Sequence, residues 1–422
     1  FKHHSYGDCS MSNLNFLHSG GNKVTLSAPD SNPSSDVTLK LPQADGSKNQ
    51  ALSTNGSGVL SFATVSDYSH RRINVNGAMA IAQKGTSAPN NADNGYPICT
   101  DMVNYRRTGA WSGTTWTVSQ NSQTPTTLAP FQFFTRWTQA GTAQNAPNDT
   151  STNLQYKVEG QDMAHAMWGT SNAIQCTLSF YVRCSQTGTF CVYVASTNRF
   201  YVFEYTISAA NTWQRVTHTF VSPTSGSFNT NNTAGIQIQF VVAADAASST
   251  YGGATTNTWL TVSKRWTSNQ STAMSANAGA TWDITGIQFE IGDTATPFEH
   301  RSFGEELLRC QRYYQKSYNH SVVPGTATYI GCSRGESINA NTIDICPRFK
   351  VDMRTTPSVT IYSPTDGASG NCYFDHSTNA NRTAVAANVG ESGFGSLHRS
   401  AGDLAHNGDQ HASCQWTASA EL

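Results

Sequence analysis

The sequence predicts an all-β protein with three parts: an N-terminal β-repeat stalk, a jelly-roll β-sandwich, and a C-terminal β-domain with one short connector helix. Three observations lead there. Apolar and polar residues alternate with a period of two in one segment after another. Gly, Pro, Asn, Asp and Ser punctuate these segments at short intervals. A single stretch carries helical spacing behind a capping signal. The chain has 422 residues, room for two or three domains, and 37% of them are hydrophobic, including 10% aromatic. Chains this rich in aromatics fold rather than stay disordered. Charged residues make up 13%, well under the roughly 25% of an average globular protein, and the net charge is -1. That balance excludes a basic nucleic-acid surface. No apolar run approaches the roughly 20 residues of a membrane span, so no membrane insertion is expected. No signal peptide is visible, and a first residue of Phe rather than Met fits an incomplete N-terminus.

Residues 1–70 read as short, poorly cored strands. Val24 and Leu26, then Val37, Leu39 and Leu41, alternate with polar neighbours. Asp45-Gly46 marks a turn, and Gln50–Phe62 reads as a strand pair around Asn55-Gly56. One copy of such strands cannot stabilise itself, which fits several chains sharing a core. Residues 71–300 form the sandwich. Cys176, Leu178, Phe180, Val182 and Cys184 share one face of a strand. Tyr201, Phe203, Tyr205 and Ile207 repeat the pattern, as do Ile236, Ile238, Phe240 and Val242, with Gln237 and Gln239 outward. Between Trp282 and Ile291 the phase slips at Gly286, the sign of a β-bulge. Residues 301–422 open with a helix over Phe303–Gln311, where Ser302 is the N-cap and Glu305 completes a capping box. Strands return at Phe349-Val351-Met353, Val359-Ile361 and Cys414–Thr417. The glycines around Phe394 predict an exposed loop.

Ten cysteines contain no C-x-x-C pair, which leaves zinc ribbons and iron–sulfur ligation without their spacing. They read as buried thiols. No phosphate-binding loop, dinucleotide fingerprint, nucleophile elbow or H-E-x-x-H occurs. No catalytic residue, cofactor or metal site is assigned. His3-His4 and the loop His406-Asn407-Gly408-Asp409-Gln410-His411 are weak metal signals that match no zinc spacing.

Several strings together resemble bacteriophage tail fibre proteins. They are Ile284–Gly292, Thr296-Pro297-Phe298-Glu299-His300-Arg301, Gly304-Glu305-Glu306-Leu307 and Cys310-Gln311-Arg312-Tyr313-Tyr314. Upstream, Glu159-Gly160-Gln161-Asp162, Trp168-Gly169-Thr170, Ala209–Trp213, Arg72–Met79 and Gln83–Ser87 agree with the fibre-associated jelly roll. The stalk from Leu41-Pro42 to Gly56-Ser57-Gly58 is similar to collar and fibre β-repeats. The resemblance covers most of 20–320 and is looser beyond. It implies a homotrimeric virion appendage, assembled in the host cytoplasm, with a sandwich like carbohydrate-binding modules. The N-terminal region would join other virion tail proteins, and the fibre would bind a host surface polysaccharide. Two other classes remain: a depolymerase that cleaves glycosidic bonds, and a structural or decoration fibre without a receptor.

Sugar binding needs paired donors and acceptors for hydroxyls and flat aromatic partners for pyranose faces. The aromatic candidates are Trp168, Trp259 and Trp266 in the sandwich and Tyr362, Tyr373, Phe394 and Trp416 in the terminal part. Trp111, Trp116 and Trp137 also sit in polar contexts, whereas Trp282 is in phase with the core. Glu159 and Asp162 are the expected ligands if a structural calcium ion is held. As a catalytic pair they would need a defined spatial separation that adjacency does not supply. Asp283, Glu290 and Glu299 flank the signature strand, where local ion pairs are the simpler role.

Overall fold

A computed structural model describes residues 13–17, 19–27, 34, 38–46, 50–54, 57–64, 71–90, 100–109, 111, 113, 115–124, 128, 130–339, 341–375, 380–399 and 411–422. The chain divides into two compact units, Phe1–Ser69 and His70–Leu422. The first holds two antiparallel pairs, Asn13–Leu17 with Lys23–Ser27 and Gln50–Thr54 with Leu60–Thr64. In the second pair Leu52 stands opposite Phe62, and both are exposed within this chain. The strand expected at 37–41 is reduced to one parallel bridge, Lys40 with Val59. Pro42 follows, with no N–H to extend a ladder. Val37 lies outside the described residues.

In the second unit, alternation builds two six-stranded antiparallel sheets. One runs, in spatial order, Gln214–Thr219, Cys176–Cys184, Thr281–Ile291, Phe133–Gln139, Trp116–Ser122 and Ser87–Asn90. The other runs Trp259–Leu260, Phe200–Ile207, Gly188–Ala195, Ala234–Ala244, Ser151–Glu159 and Val103–Thr108. Cys176, Leu178, Phe180, Val182 and Cys184 of the first meet Tyr201, Phe203, Ile236, Ile238 and Phe240 of the second in one buried core. Burying each such Val, Ile, Leu or Phe contributes about 1.5–3 kcal/mol. The period-two reading therefore placed these faces correctly. Gly286 sits where the register between Cys176–Cys184 and Thr281–Ile291 shifts, at a φ of +61°. A Cβ there would lie 2.6 Å from the Phe131 ring and 2.9 Å from Tyr181, so the bulge needs glycine on both counts.

The helix spans Phe303–Gln311, and the Ser302 side chain accepts from the Glu305 N–H at 3.2 Å. Buried Glu306 pairs with buried Arg72 and fixes the helix to the segment that enters the sandwich, which bridges to Glu290. Arg301 bonds Glu299 at 3.3 Å, the local ion pair the sequence suggested. A third sheet follows, ordered Tyr314–Lys316, His411–Ser419, Ser333–Asn339, Thr342–Asp344, Gly393–Arg399, Ala380–Gly390 and Asn371–Asp375. Ser358–Tyr362 also pairs with His411–Ser419. Residues 349–353 are not a strand. Phe349 and Met353 are buried, but their N–H groups reach the carbonyls of Ser392 and Glu391 in a bent segment. This sheet is tied to the sandwich by the Lys84–Glu421 ion pair and by Arg354 Nη1 donating to the Asn232 carbonyl at 2.5 Å. Among the described residues, no helix is long and apolar enough to cross a membrane.

Candidate functional site

The outer face of the second sandwich sheet carries an unusual set of side chains. Leu154, Tyr156 and Val158 point into the core, as do Val103 and Tyr105. The alternate positions therefore face outward. Strand register aligns Asn104, Gln155, Gln239 and Tyr193 in one row across four strands. A neighbouring row places Arg106 opposite Asn153 and Asn153 opposite Val241. The segment between the strands Ala234–Ala244 and Thr281–Ile291 folds back over part of this face. There Trp266, Ala254 and Tyr251 pack on Cys191, Tyr193, Ala195, Val202 and Val241.

The amides of this row are deep but not satisfied. Asn104 is 6% exposed, Gln155 3%, and Asn153 and Gln239 1% each. Gln155 Nε2 donates to Gln237 Oε1 at 2.5 Å. Both Oε1 and Nε2 of Gln239 have no hydrogen-bond partner, nor do the Oδ1 atoms of Asn104 and Asn153. A buried polar atom without a partner costs about 1–3 kcal/mol, and native interiors contain few of them. Four such atoms therefore lie on one face of one sheet. The rim is more open: Gln237, Lys157, Arg106, Arg265 and Tyr251 are half-buried. The Arg265 guanidinium lies 4.3 Å from the Tyr251 ring centroid, and the Tyr193 hydroxyl meets Ser263 at 3.0 Å. A hollow of about 200 Å³ opens between 195–197 and 234–237, at the Gln237 end.

Of the aromatic candidates from the sequence, Trp266 belongs to the cover of this face and the others lie elsewhere. Trp168 is buried among Phe220, Phe228, Trp259 and Phe289, and its indole N–H donates to the Ile174 carbonyl at 2.8 Å. Trp259 is half-buried and donates to the Val221 carbonyl at 2.6 Å. Trp266 is fully buried in the cover of the outer face, with its N–H on the Asp245 carbonyl at 2.7 Å. Trp111, Trp116 and Trp137 are buried as well, as is Trp282, the one read as core. Phe394 is not in an exposed loop. It lies on the strand Gly393–Arg399, 3% exposed, with its ring against Trp416 at 6.1 Å. Trp416 is buried and donates to Ser333 Oγ. Tyr362 and Tyr373 are half-buried, against Tyr318 and Tyr329. Large indoles close a wide sandwich core better than they serve as open platforms.

The carboxylates are engaged in structural bonds. Glu159 accepts from Arg312 Nε at 3.0 Å and from the Tyr313 hydroxyl at 2.7 Å, while Asp162 is on the surface one helical turn away. Asp283 bridges Arg136 and Arg183, Glu290 accepts from Gln288 and Thr296, and Glu299 accepts from the Arg72 N–H. Glu204, on the outer face, is held by Thr267 and Asn269. Among the described residues, no group of three or more His, Cys, Asp or Glu is placed to hold a metal ion. His3, His4 and residues 406–410 lie outside the described residues. His411 lies 3.7 Å from Glu336. A second hollow, of about 230 Å³, is lined by Phe131, Phe298, His300 and Phe303 beside Arg301 and Glu306. Its acid is already paired with Arg72.

The sequence did carry a signal for the amide row: Gln237 and Gln239 stand opposite the apolar phase of their strand. What it lacked was register, which brings Asn104, Gln155 and Tyr193 beside them.

No protein-family model and no curated protein matches the chain. Among solved structures, it is similar to the enzymatically active domain of bacteriophage CBA120 tailspike protein 4, with 11% identity and a TM-score of 0.29. That match covers 53% of this chain and 22% of the tailspike chain. It is also similar to the family 11 carbohydrate-binding module of Clostridium thermocellum in complex with a β-1,3-1,4-mixed-linked tetrasaccharide, with 10% identity and a TM-score of 0.24 over 46% of this chain and 91% of the module. TmCBM61 in complex with β-1,4-galactotriose gives 10% identity and a TM-score of 0.23, over 44% and 88% of the two chains.

Proposed function

We propose that this protein is a structural and adhesive virion fibre, a phage tail fibre, that binds a host surface glycan non-covalently on the outer face of its second sandwich sheet. The observation that carries the binding role is the set of buried amides across three neighbouring strands, with both polar atoms of Gln239 and the carbonyl oxygens of Asn104 and Asn153 unpaired. Sugar hydroxyls donate and accept at once, and amides offer both functions from one side chain. The fibre assignment rests on the multi-string resemblance between 284 and 314. A homotrimer fits the first unit, where Leu52 and Phe62 are exposed on a strand pair too small to stand alone and Leu41 is exposed outside any strand. Three copies would raise weak sugar affinity through multivalency. Cleavage of the glycan would need two carboxylates set across the bond, and Glu159 and Glu204 are each held by neighbours.

The test is binding of labelled full-length protein to host cells before and after removal of surface polysaccharide. Saturable binding lost on removal, and lost again in Gln239→Leu, supports the reading. Absence of binding to a host that the parent virus infects points to a structural fibre without a receptor.

A further inference from the structure

The same face carries two guanidiniums that no ion pair reaches among the described residues. Arg106 extends from the strand Val103–Thr108, one position from Arg107 and opposite Asn153. Arg265 comes from the covering segment and lies over Tyr251. Nε of Arg106 and both Nε and Nη1 of Arg265 are buried with no hydrogen-bond partner. Among the described residues, no salt bridge reaches either guanidinium, although Arg136, Arg183, Arg301, Arg309 and Arg312 all have one. The carboxylates of the surrounding elements are engaged elsewhere: Glu204 by Thr267 and Asn269, Asp149 by Ser248 and Thr250, and Asp245 by the N–H groups of Asp149 and Ala247. The next basic group along the face, Lys157, is already answered, by the Glu421 carboxylate and by the Leu422 carbonyl that its Nζ bonds. Burial, and then the charge of Arg265, hold Arg106 below its ordinary value, and burial with Arg106 does the same to Lys157. Two neighbouring guanidiniums repel, and half-buried charges are screened less than exposed ones. The arrangement makes sense when an anion lies between them, because a guanidinium presents N–H donors in a planar fork matched to carboxylate or phosphate oxygens.

We propose that the glycan bound here is acidic, with a carboxylate or phosphate of its repeat unit seated between Arg106 and Arg265 while the amide row takes neighbouring hydroxyls. This rests on the glycan-binding reading of the face and narrows its ligand class. The chemistry is shared by uronic acids and by phosphorylated sugars, and the experiment separates them.

Full-length protein is applied to an array of neutral and acidic bacterial surface polysaccharides. Bound acidic ones are then re-measured after carboxyl reduction and, separately, after dephosphorylation. The expected hits are acidic, and one of the two treatments weakens binding at least tenfold, naming the anionic group. Arg106→Gln and Arg265→Gln each weaken the acidic ligand at least tenfold and bring it level with its neutralised form. Arg348→Gln, which removes an exposed guanidinium bonded to Ser392 beside the third sheet, leaves binding unchanged. Hits that are all neutral overturn the acidic assignment and leave glycan binding intact. So do acidic hits indifferent to both chemical treatments, or weakened equally by Arg348→Gln. No hit of any kind overturns the glycan reading beneath it. If either arginine variant fails to fold, as judged by circular dichroism, the chemical treatments on the parent protein still decide.

Discussion

Gln239 shows how a single residue can oppose stability in the isolated chain, and its proposed role in recognition is testable on that ground. Its amide is buried and unpaired, so in the isolated chain it costs desolvation without return. Gln239→Leu keeps the volume and removes the polar atoms. The expected result is an unfolding temperature no lower than the parent's, together with at least a tenfold loss of glycan affinity, read by calorimetry on one preparation. A drop in stability would mean that the amide has a structural partner, and the row would lose its claim to function. His218 gives a second test at this scale. Its ring stacks on Phe203 at 4.0 Å, and burial pushes its pKa down to about 4. The unfolded chain then takes up the proton first, near the ordinary value of about 6.5. Stability is therefore full above that pH, falls as pH drops towards 4, and levels off below. With the ring half-buried, the loss is about 1–2 kcal/mol after discounting for solvent. His218→Phe should flatten that part of the pH–stability curve.

At the scale of elements, local rules and packing agree where a strand or cap is self-contained. The alternating cysteines of Cys176–Cys184, the N-cap at Ser302 and the bulge at Gly286 were all legible because each depends on neighbours in sequence, although the Glu305 carboxylate turns to Arg309 instead of closing a capping box. Gly286→Ala tests the bulge. A methyl group would meet the Phe131 and Tyr181 rings at a φ that favours glycine, so a loss of about 2 kcal/mol or more is expected in denaturant unfolding. Ser302→Ala should cost about 1 kcal/mol by the same measurement. The aromatic residues were not legible in this way. Trp168, Trp266 and Trp416 sit in polar sequence, yet each indole N–H finds a carbonyl or hydroxyl while the ring enters a core. Local polarity reports the neighbours in the chain, whereas burial depends on which distant strand arrives above. The same limit hid Asn104 and Gln155, and Phe394 was misplaced because three glycines near it signal a loop only if no partner strand pairs with them. Ala380–Gly390 does pair with them.

At the scale of the whole molecule, the two units make opposite demands on partners. Residues 70–422 bury extensive cores of their own. The first unit has two separate two-stranded pairs and leaves Leu39, Leu41, Leu52 and Phe62 exposed. An isolated pair of strands is marginal in water, and apolar side chains facing each other across it gain little until something covers them. If copies of the chain supply that cover, the oligomer should depend on this unit. The double variant Leu52→Ser, Phe62→Ser removes a facing apolar pair without touching the sandwich. Sedimentation velocity of the full-length parent should show a trimer, and the double variant should sediment as a monomer with an unchanged near-ultraviolet spectrum. Its affinity for a single immobilised glycan at low density should match the parent's, while binding to a dense cell surface falls by at least a hundredfold as multivalency is lost. A variant that stays trimeric would move the assembly contacts out of this hairpin. A parent that sediments as a monomer would remove multivalency from the proposed mode of binding.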